Sequence, residues 1–495
     1  MGIIERQTIK GSFFSYLGVA FGFVTVGLLW PRLLEPEEIG LINFFVALSA
    51  ILAQIGSLGI NSVSIRLFPE FRNNANKHNG FLSLGIFFLV AGTILVLIYY
   101  LGFRERIIEN NTEKSFLVAN YVYFIVPYTI ATLFFNFFDS LHRVSYNAVI
   151  GVFMKEFVFR VLNLVLIALY AWFAFSFELF LNLYFIIFSI PALILIIALA
   201  RIRQFNLRLN FRFITRGLGR SIADVGFFGL VAGMGTIAIS SIDKIMINHF
   251  IDLEATGIYS IAFLFGTIIS LPSRPLNKIA STIVAESWKR NDTANIQMIY
   301  TKSSLNQFIF GGLIFLLVWL NVDVVFMLIP SKYEAGRMVI FYMSLSGLIL
   351  MATGLNGIIV VASKYYRYHS LFVFILLIVV IITNYLFIPR WGITGAAIAS
   401  LISTVAYNLL RVGFLYLKFR MQPFSYRFLI VLGALLLTLL AGNLLQGIEQ
   451  WIVRTAIICL AILVIYMLPI LGLKVSEDLN NSISKIHRKV FRRKK

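Results

Sequence analysis

Lys155, Glu156, Arg160 and Asn163 break into an apolar run over 147–171, and Arg274 and Lys278 break into another over 257–280. An isolated cation at the middle of a bilayer costs about 2.5–3.5 kcal/mol even on the lenient insertion scale, so such groups are kept where they meet water or a partner. Glu156, Arg160 and Asn163 recur at helical spacing and share one face. Glu156 and Arg160 could simply neutralise each other, which would leave Lys155 over. Thr267, Ser270, Arg274, Lys278 and Ser281 form a second polar stripe, interrupted by Pro272 and Pro275. Two cations one turn apart repel unless something anionic or aqueous lies between them. The stripe therefore lines a wet cavity, or its cations snorkel to the cytoplasmic boundary. Asp224 and Asp139 are acids near that boundary, readable as coupling carboxylates or as ordinary interfacial residues.

Catalysis finds little support. The five His (His78, His142, His249, His369, His487) stand on separate segments with no H-x-x-x-H pair. There is no Asp-x-Asp motif, no Gly-rich phosphate loop and no G-x-S-x-G. The one cysteine, Cys459, excludes an intrachain disulfide and a thiolate metal cluster. No catalytic residue, metal ligand or cofactor is expected.

The elements that position these residues are spanning helices. Hydrophobic residues make up 59 % of the 495 and charged ones 13 %, about half the share of soluble domains. Crossing roughly 30 Å of hydrocarbon takes about 20 apolar residues. Fourteen candidate spans follow: 12–30, 40–60, 80–101, 116–136, 147–171, 177–200, 221–241, 257–280, 304–321, 338–361, 370–388, 392–415, 426–446 and 451–471. The expected fold is an all-α polytopic bundle with no sizeable domain outside the membrane. The first span is read as retained, because Trp30-Pro31-Arg32 offers no small-residue cleavage site.

Of the 42 Lys and Arg, 28 fall on the N-terminus, every second connection and the tail, against 8 on the opposite set. Basic connections stay in the cytoplasm, which puts both termini there. The densest are the 201–220 linker, with six Arg and no acid, and the tail ending Arg492-Arg493-Lys494-Lys495. A net charge of +20 invites a nucleic-acid reading, but no nucleic-acid module accompanies it, and anionic lipid headgroups explain it more simply.

The chain also echoes itself. Leu34-Glu35-Pro36-Glu37-Glu38-Ile39-Gly40 returns in character as Ile251-Asp252-Leu253-Glu254-Ala255-Thr256-Gly257, an acid standing three residues before a helix-opening glycine each time. The preceding spans carry Gly18 and Gly22, and Gly229 and Gly233, at the spacing that allows close helix approach or bending. A duplication of six spans follows, with lobes at 1–200 and 221–415, the 201–220 linker between them, an appended helix pair at 416–473 and a basic tail at 474–495. An even number of spans relates the copies by an axis along the membrane normal, and substrate is commonly held between such repeats.

Three segments resemble polysaccharide-export flippases of the multidrug/oligosaccharidyl-lipid/polysaccharide transporter superfamily. They are Ser241-Ile242-Asp243-Lys244-Ile245-Met246-Ile247 running into Gly257-Ile258-Tyr259-Ser260-Ile261-Ala262, Pro389 to Ala399 before span 12, and Gly59 to Arg66 after span 2. The resemblance implies an alternating-access flippase of the bacterial inner membrane. Its substrate would be a lipid-linked oligosaccharide, such as an O-antigen or capsule repeat unit on undecaprenyl pyrophosphate. The pyrophosphate would then meet Arg160, Arg274 and Lys278, with Lys155 and Arg66 as further cations, and Glu156 or Asp224 would carry any coupling ion. Membrane lipids are expected partners, as are polysaccharide polymerase or chain-length proteins, with the chain itself a monomer. The rivals are a drug or metabolite exporter of the same superfamily, for whose cationic substrates a cation-rich interior is wrong, and a membrane glycan polymerase or ligase, which would need a long outer loop.

Overall fold

A computed structural model describes residues 3–73, 77–112, 115–145, 148–201, 213–481 and 484. Among these the regular structure is helical, with no strand. Most of the 201–220 linker and the basic end of the tail lie outside the described residues.

The chain forms two compact units, 1–261 with 380–393, and 262–379 with 394–495. In the first, α1 (Ile3–Gly22) runs into a π-helical stretch, Phe23–Leu29. Helices α2 (Pro36–Gly56), α3 (Ile60–Phe71), α4 (Phe81–Thr112) and α5 (Ile125–Val144) follow. A second π-helical stretch, Phe153–Val158, opens α6 (Phe159–Phe173), which leads to α7 (Phe177–Arg201) and α8 (Arg216–Phe250). Helix α8 packs on α2 and α3, and α5 on α2 and α7. Phe68, Phe71, Phe81, Phe137 and Phe138 make the aromatic centre of one core.

Helix α9 (Leu253–Thr267) leads to α10 (Ser273–Lys289), α11 (Thr293–Leu320), α12 (Arg337–Thr353) and α13 (Asn356–Ala362). Then come α14 (Tyr366–Phe419), α15 (Tyr426–Leu444) and α16 (Trp451–Ala461). In the second unit α11 packs against α12 and α15, and Tyr466, just beyond α16, donates to the Ile309 carbonyl at 2.8 Å.

The span boundaries differ from expectation in ways that trace to particular residues. Among the described residues, eleven helices are long and apolar enough to cross a membrane, or twelve when α8, bent by 61° between Ile237 and Ser240, is taken as one span. The count of fourteen is not reproduced. Residues 148–173 are helical, but Lys155, Glu156 and Arg160 leave them short of an uninterrupted apolar stretch. The expected spans 370–388 and 392–415 fall on the single 54-residue α14. At about 1.5 Å per residue that run is more than twice the hydrocarbon thickness, so it has to turn back. It breaks at Trp391 and Gly392, the latter at φ 59°, ψ −140°, a conformation that only glycine adopts readily.

Two shifts bear on the polar residues. Helix α8 continues to Phe250, which puts Asp243 and Lys244 inside a helix and not in the connection after 221–241. The expected span 257–280 is corrected to Leu253–Ser270. Arg274 and Lys278 therefore stand on α10, beyond the apolar stretch, where Pro272 and the polar sequence that follows end it.

Candidate functional site

Three polar constellations emerge, the first around Arg160. Its guanidinium donates to Glu156 Oε2 at 2.7 Å and to the Gly18 carbonyl at 2.8 Å. About a quarter of each side chain of the pair stays exposed, 28 % for Arg160 and 25 % for Glu156. The π-helical stretch widens the turn that carries Lys155 and Glu156, a distortion frequent at functional sites. The glycines of α1 make room for it. A Cβ at Gly18 would overlap the Glu156 carbonyl oxygen, and one at Gly22 would come within 2.7 Å of the Arg160 guanidinium. Lys155 is exposed, its ammonium 5.2 Å from the Phe135 ring centroid. The structure thus joins Glu156, Arg160, Gly18 and Gly22 in one locus, with Lys155 beside it.

Arg274 and Lys278 are exposed on α10, Arg66 is exposed on α3, and Asp224 is exposed in the first turns of α8. Asp139 is buried and paired with Arg143. Gly229 and Gly233 serve helix approach: a Cβ at either would overlap the Ser62 or the Gln54 side chain, and Gln54 donates to the Leu230 carbonyl at 3.3 Å.

The second constellation, missed by sequence reasoning, is centred on Asp243, 2 % exposed. One carboxylate oxygen accepts from Tyr259 Oη and the other from Asn384 Nδ2, each at 2.7 Å. The adjacent Lys244 donates to Asn43 Oδ1 at 2.9 Å, and Asn248, one turn on, donates to Asn111 Oδ1 at 2.9 Å. Asp243, Lys244 and Tyr259 all lie in the first segment singled out for its resemblance. The signal was present, but Asp243 and Lys244 fall in the connection between the expected spans 221–241 and 257–280, which hides their role.

The echoed glycines meet beside this network. A Cβ at Gly40 would overlap the Leu253 carbonyl and lie 3.1 Å from the Gly257 nitrogen, and a Cβ at Gly257 would overlap the Pro36 carbonyl and lie 3.1 Å from the Gly40 nitrogen. Each glycine stands four residues after the carbonyl that its counterpart meets. Such an exchange of equivalent partners is what a local two-fold axis produces. Local chemistry starts both helices: Glu35 and Glu38 form a capping box on α2, and Asp252 Oδ1 accepts from the Ala255 N–H at 2.7 Å on α9.

The third constellation surrounds Arg411 in the second unit. Its position near the end of the expected span 392–415 suits a side chain that snorkels to the boundary, but it is buried and lies against Tyr407, His369 and a cavity. Arg454, near the start of the expected span 451–471, is paired with Asp323 at 3.1 Å, which Arg337 also holds at 2.6 Å. Among the described residues no three His, Cys, Asp or Glu are gathered as metal ligands.

The sequence matches the family model described as polysaccharide biosynthesis protein over residues 11–284, more than half the chain. The chain belongs to that family. No curated protein sequence matches it. Among solved structures it is similar to the lipid II flippase MurJ in an inward closed conformation, with a TM-score of 0.70 at 14 % identity over 92 % of this chain and 98 % of that one. It is also similar to an inward-facing multidrug resistance MATE family transporter of the MOP superfamily, with a TM-score of 0.58 at 12 % identity over 82 % and 97 %. A point mutant of the Vibrio cholerae MATE transporter VcmN gives 0.53 at 13 % over 85 % and 99 %. At these identities the likeness is one of fold, that of a multi-pass helical membrane protein.

Proposed function

We propose that the chain is a flippase for a lipid-linked oligosaccharide, an undecaprenyl-pyrophosphate glycan of the O-antigen or capsule kind. It would carry this substrate across a bacterial inner membrane with both termini in the cytoplasm. The observation that carries the reading is the Arg160–Glu156 pair, a partly exposed guanidinium fixed by the Gly18 carbonyl in a largely apolar helix. A pyrophosphate needs fixed cations, and a guanidinium suits it better than an ammonium because its planar donors match phosphate oxygens two at a time. Membership of a polysaccharide biosynthesis family supports a glycan-carrying substrate. Arg274 and Lys278, exposed on α10, would receive the headgroup nearer the cytoplasmic boundary. Movement of residues 1–200 against 221–415 would expose the substrate to each side in turn.

Purified protein in vesicles, supplied with a fluorescent lipid-linked oligosaccharide or with an organic cation, tests this reading. Transport of the glycan is expected, with at least about a tenfold loss for Arg160→Ala and for the Arg160→Ala, Arg274→Ala double variant at normal membrane insertion. Full transport by the double variant would remove both residues from the mechanism, and transport of the organic cation alone would make the chain an exporter.

A further inference from the structure

We propose a second anion site in the unit formed by 262–379 and 394–495, built on Arg411 and selective for a phosphate group. It does not rest on the substrate reading above. Arg411 is 9 % exposed, about two turns before the end of α14. Its guanidinium carbon lies 3.7 Å from the Tyr407 ring centroid, and one terminal nitrogen donates to Tyr407 Oη and, at 3.3 Å, to His369 Nδ1. Arginine only donates, so His369 accepts through Nδ1 as a neutral ring. Buried Nε has no hydrogen-bond partner, and no carboxylate pairs with the guanidinium among the described residues. A buried cation with donors to spare is unstable unless an opposite charge reaches it.

The route for that charge is a cavity of about 470 Å³ lined by Arg411, His369, Asn277, Ser281, Asn356 and Gly357, among others. Gly357 keeps the guanidinium accessible, since a Cβ there would stand 2.8 Å from Nη1. Asn277 and Ser281 add neutral polar groups one helical turn apart on α10, next to the exposed Arg274 and Lys278. Planar N–H donors beside hydroxyl and amide groups, with no acid among the lining residues, suit the oxygens of a phosphate. The source is either free phosphate or the headgroup of an anionic phospholipid.

Full-length protein in detergent, titrated with inorganic phosphate while its unfolding midpoint is followed, tests the first source. Nanodiscs of phosphatidylglycerol or phosphatidylcholine, followed by native mass spectrometry of retained lipid, test the second. A saturable rise of the midpoint with phosphate, or selective retention of phosphatidylglycerol, is expected, with the apparent affinity weakened about tenfold or more by Arg411→Gln. Should that variant not fold, Ser281→Phe, placed to fill the cavity from a half-buried position on α10, has to produce the same loss. The proposal is overturned if wild-type protein responds to neither phosphate nor phosphatidylglycerol. It is equally overturned if chloride at matched ionic strength gives the same shift, or if the folded variants bind as wild type does.

Discussion

At the scale of single residues, buried charge in this protein is held by specific partners. Asp243 illustrates it, with both carboxylate oxygens accepting from neutral side chains, Tyr259 and Asn384. In Asp243→Asn one acceptor becomes an N–H₂ group facing a donor. Leaving a buried donor unsatisfied costs about 1–3 kcal/mol, so the apparent unfolding midpoint in detergent should fall, whereas Asp224→Asn at an exposed position should leave it unchanged. Asp323 holds two guanidiniums, those of Arg337 and Arg454. The partner of Arg454 stands far from it in sequence, and periodicity within one helix cannot reveal a partner on another.

At the scale of elements, glycine decides which helices touch backbone to backbone. Gly18 lies under the Glu156 carbonyl, and Gly40 and Gly257 lie under each other's helix starts. Overpacking a close contact typically costs about 1–3 kcal/mol. Gly257→Val should therefore lower the unfolding midpoint and the yield of inserted protein. Gly433→Val, at a position where a Cβ meets nothing, should do neither. Gly18→Val should also displace the π-helical turn carrying Glu156, so its transport loss in vesicles should approach that of Arg160→Ala at similar expression. A result in which Gly257→Val matches wild type in both midpoint and yield would remove the reciprocal contact as a structural requirement.

At the scale of the whole molecule, the bias of basic residues toward alternate connections fixes an expected orientation with both termini in the cytoplasm. The single cysteine makes this simple to test. With Cys459 replaced by Ser, a cysteine introduced as Lys494→Cys should react with a membrane-impermeant maleimide only after the cells are permeabilised, and one introduced as Gln450→Cys should react in intact cells. The reverse pattern would invert the orientation and with it the proposed direction of flipping.

The sequence by itself determined the membrane class, the all-helical fold, the family resemblance and the placing of Glu156 one turn before Arg160 on a shared face, because each rests on composition or on spacing within one helix. The glycine pairs and the echoed turns were legible as features, but their partners were not. Tertiary structure alone decided that Gly40 faces Gly257, that Asp243 is a buried acceptor and not a loop acid, that Arg274 and Lys278 lie past the end of an apolar stretch, and that Arg411 faces a cavity. The reason is physical: hydrophobicity and periodicity report how each residue relates to its own helix and to the membrane. The stability of a buried charge depends on atoms tens or hundreds of residues away in the chain, which only packing brings within hydrogen-bonding distance.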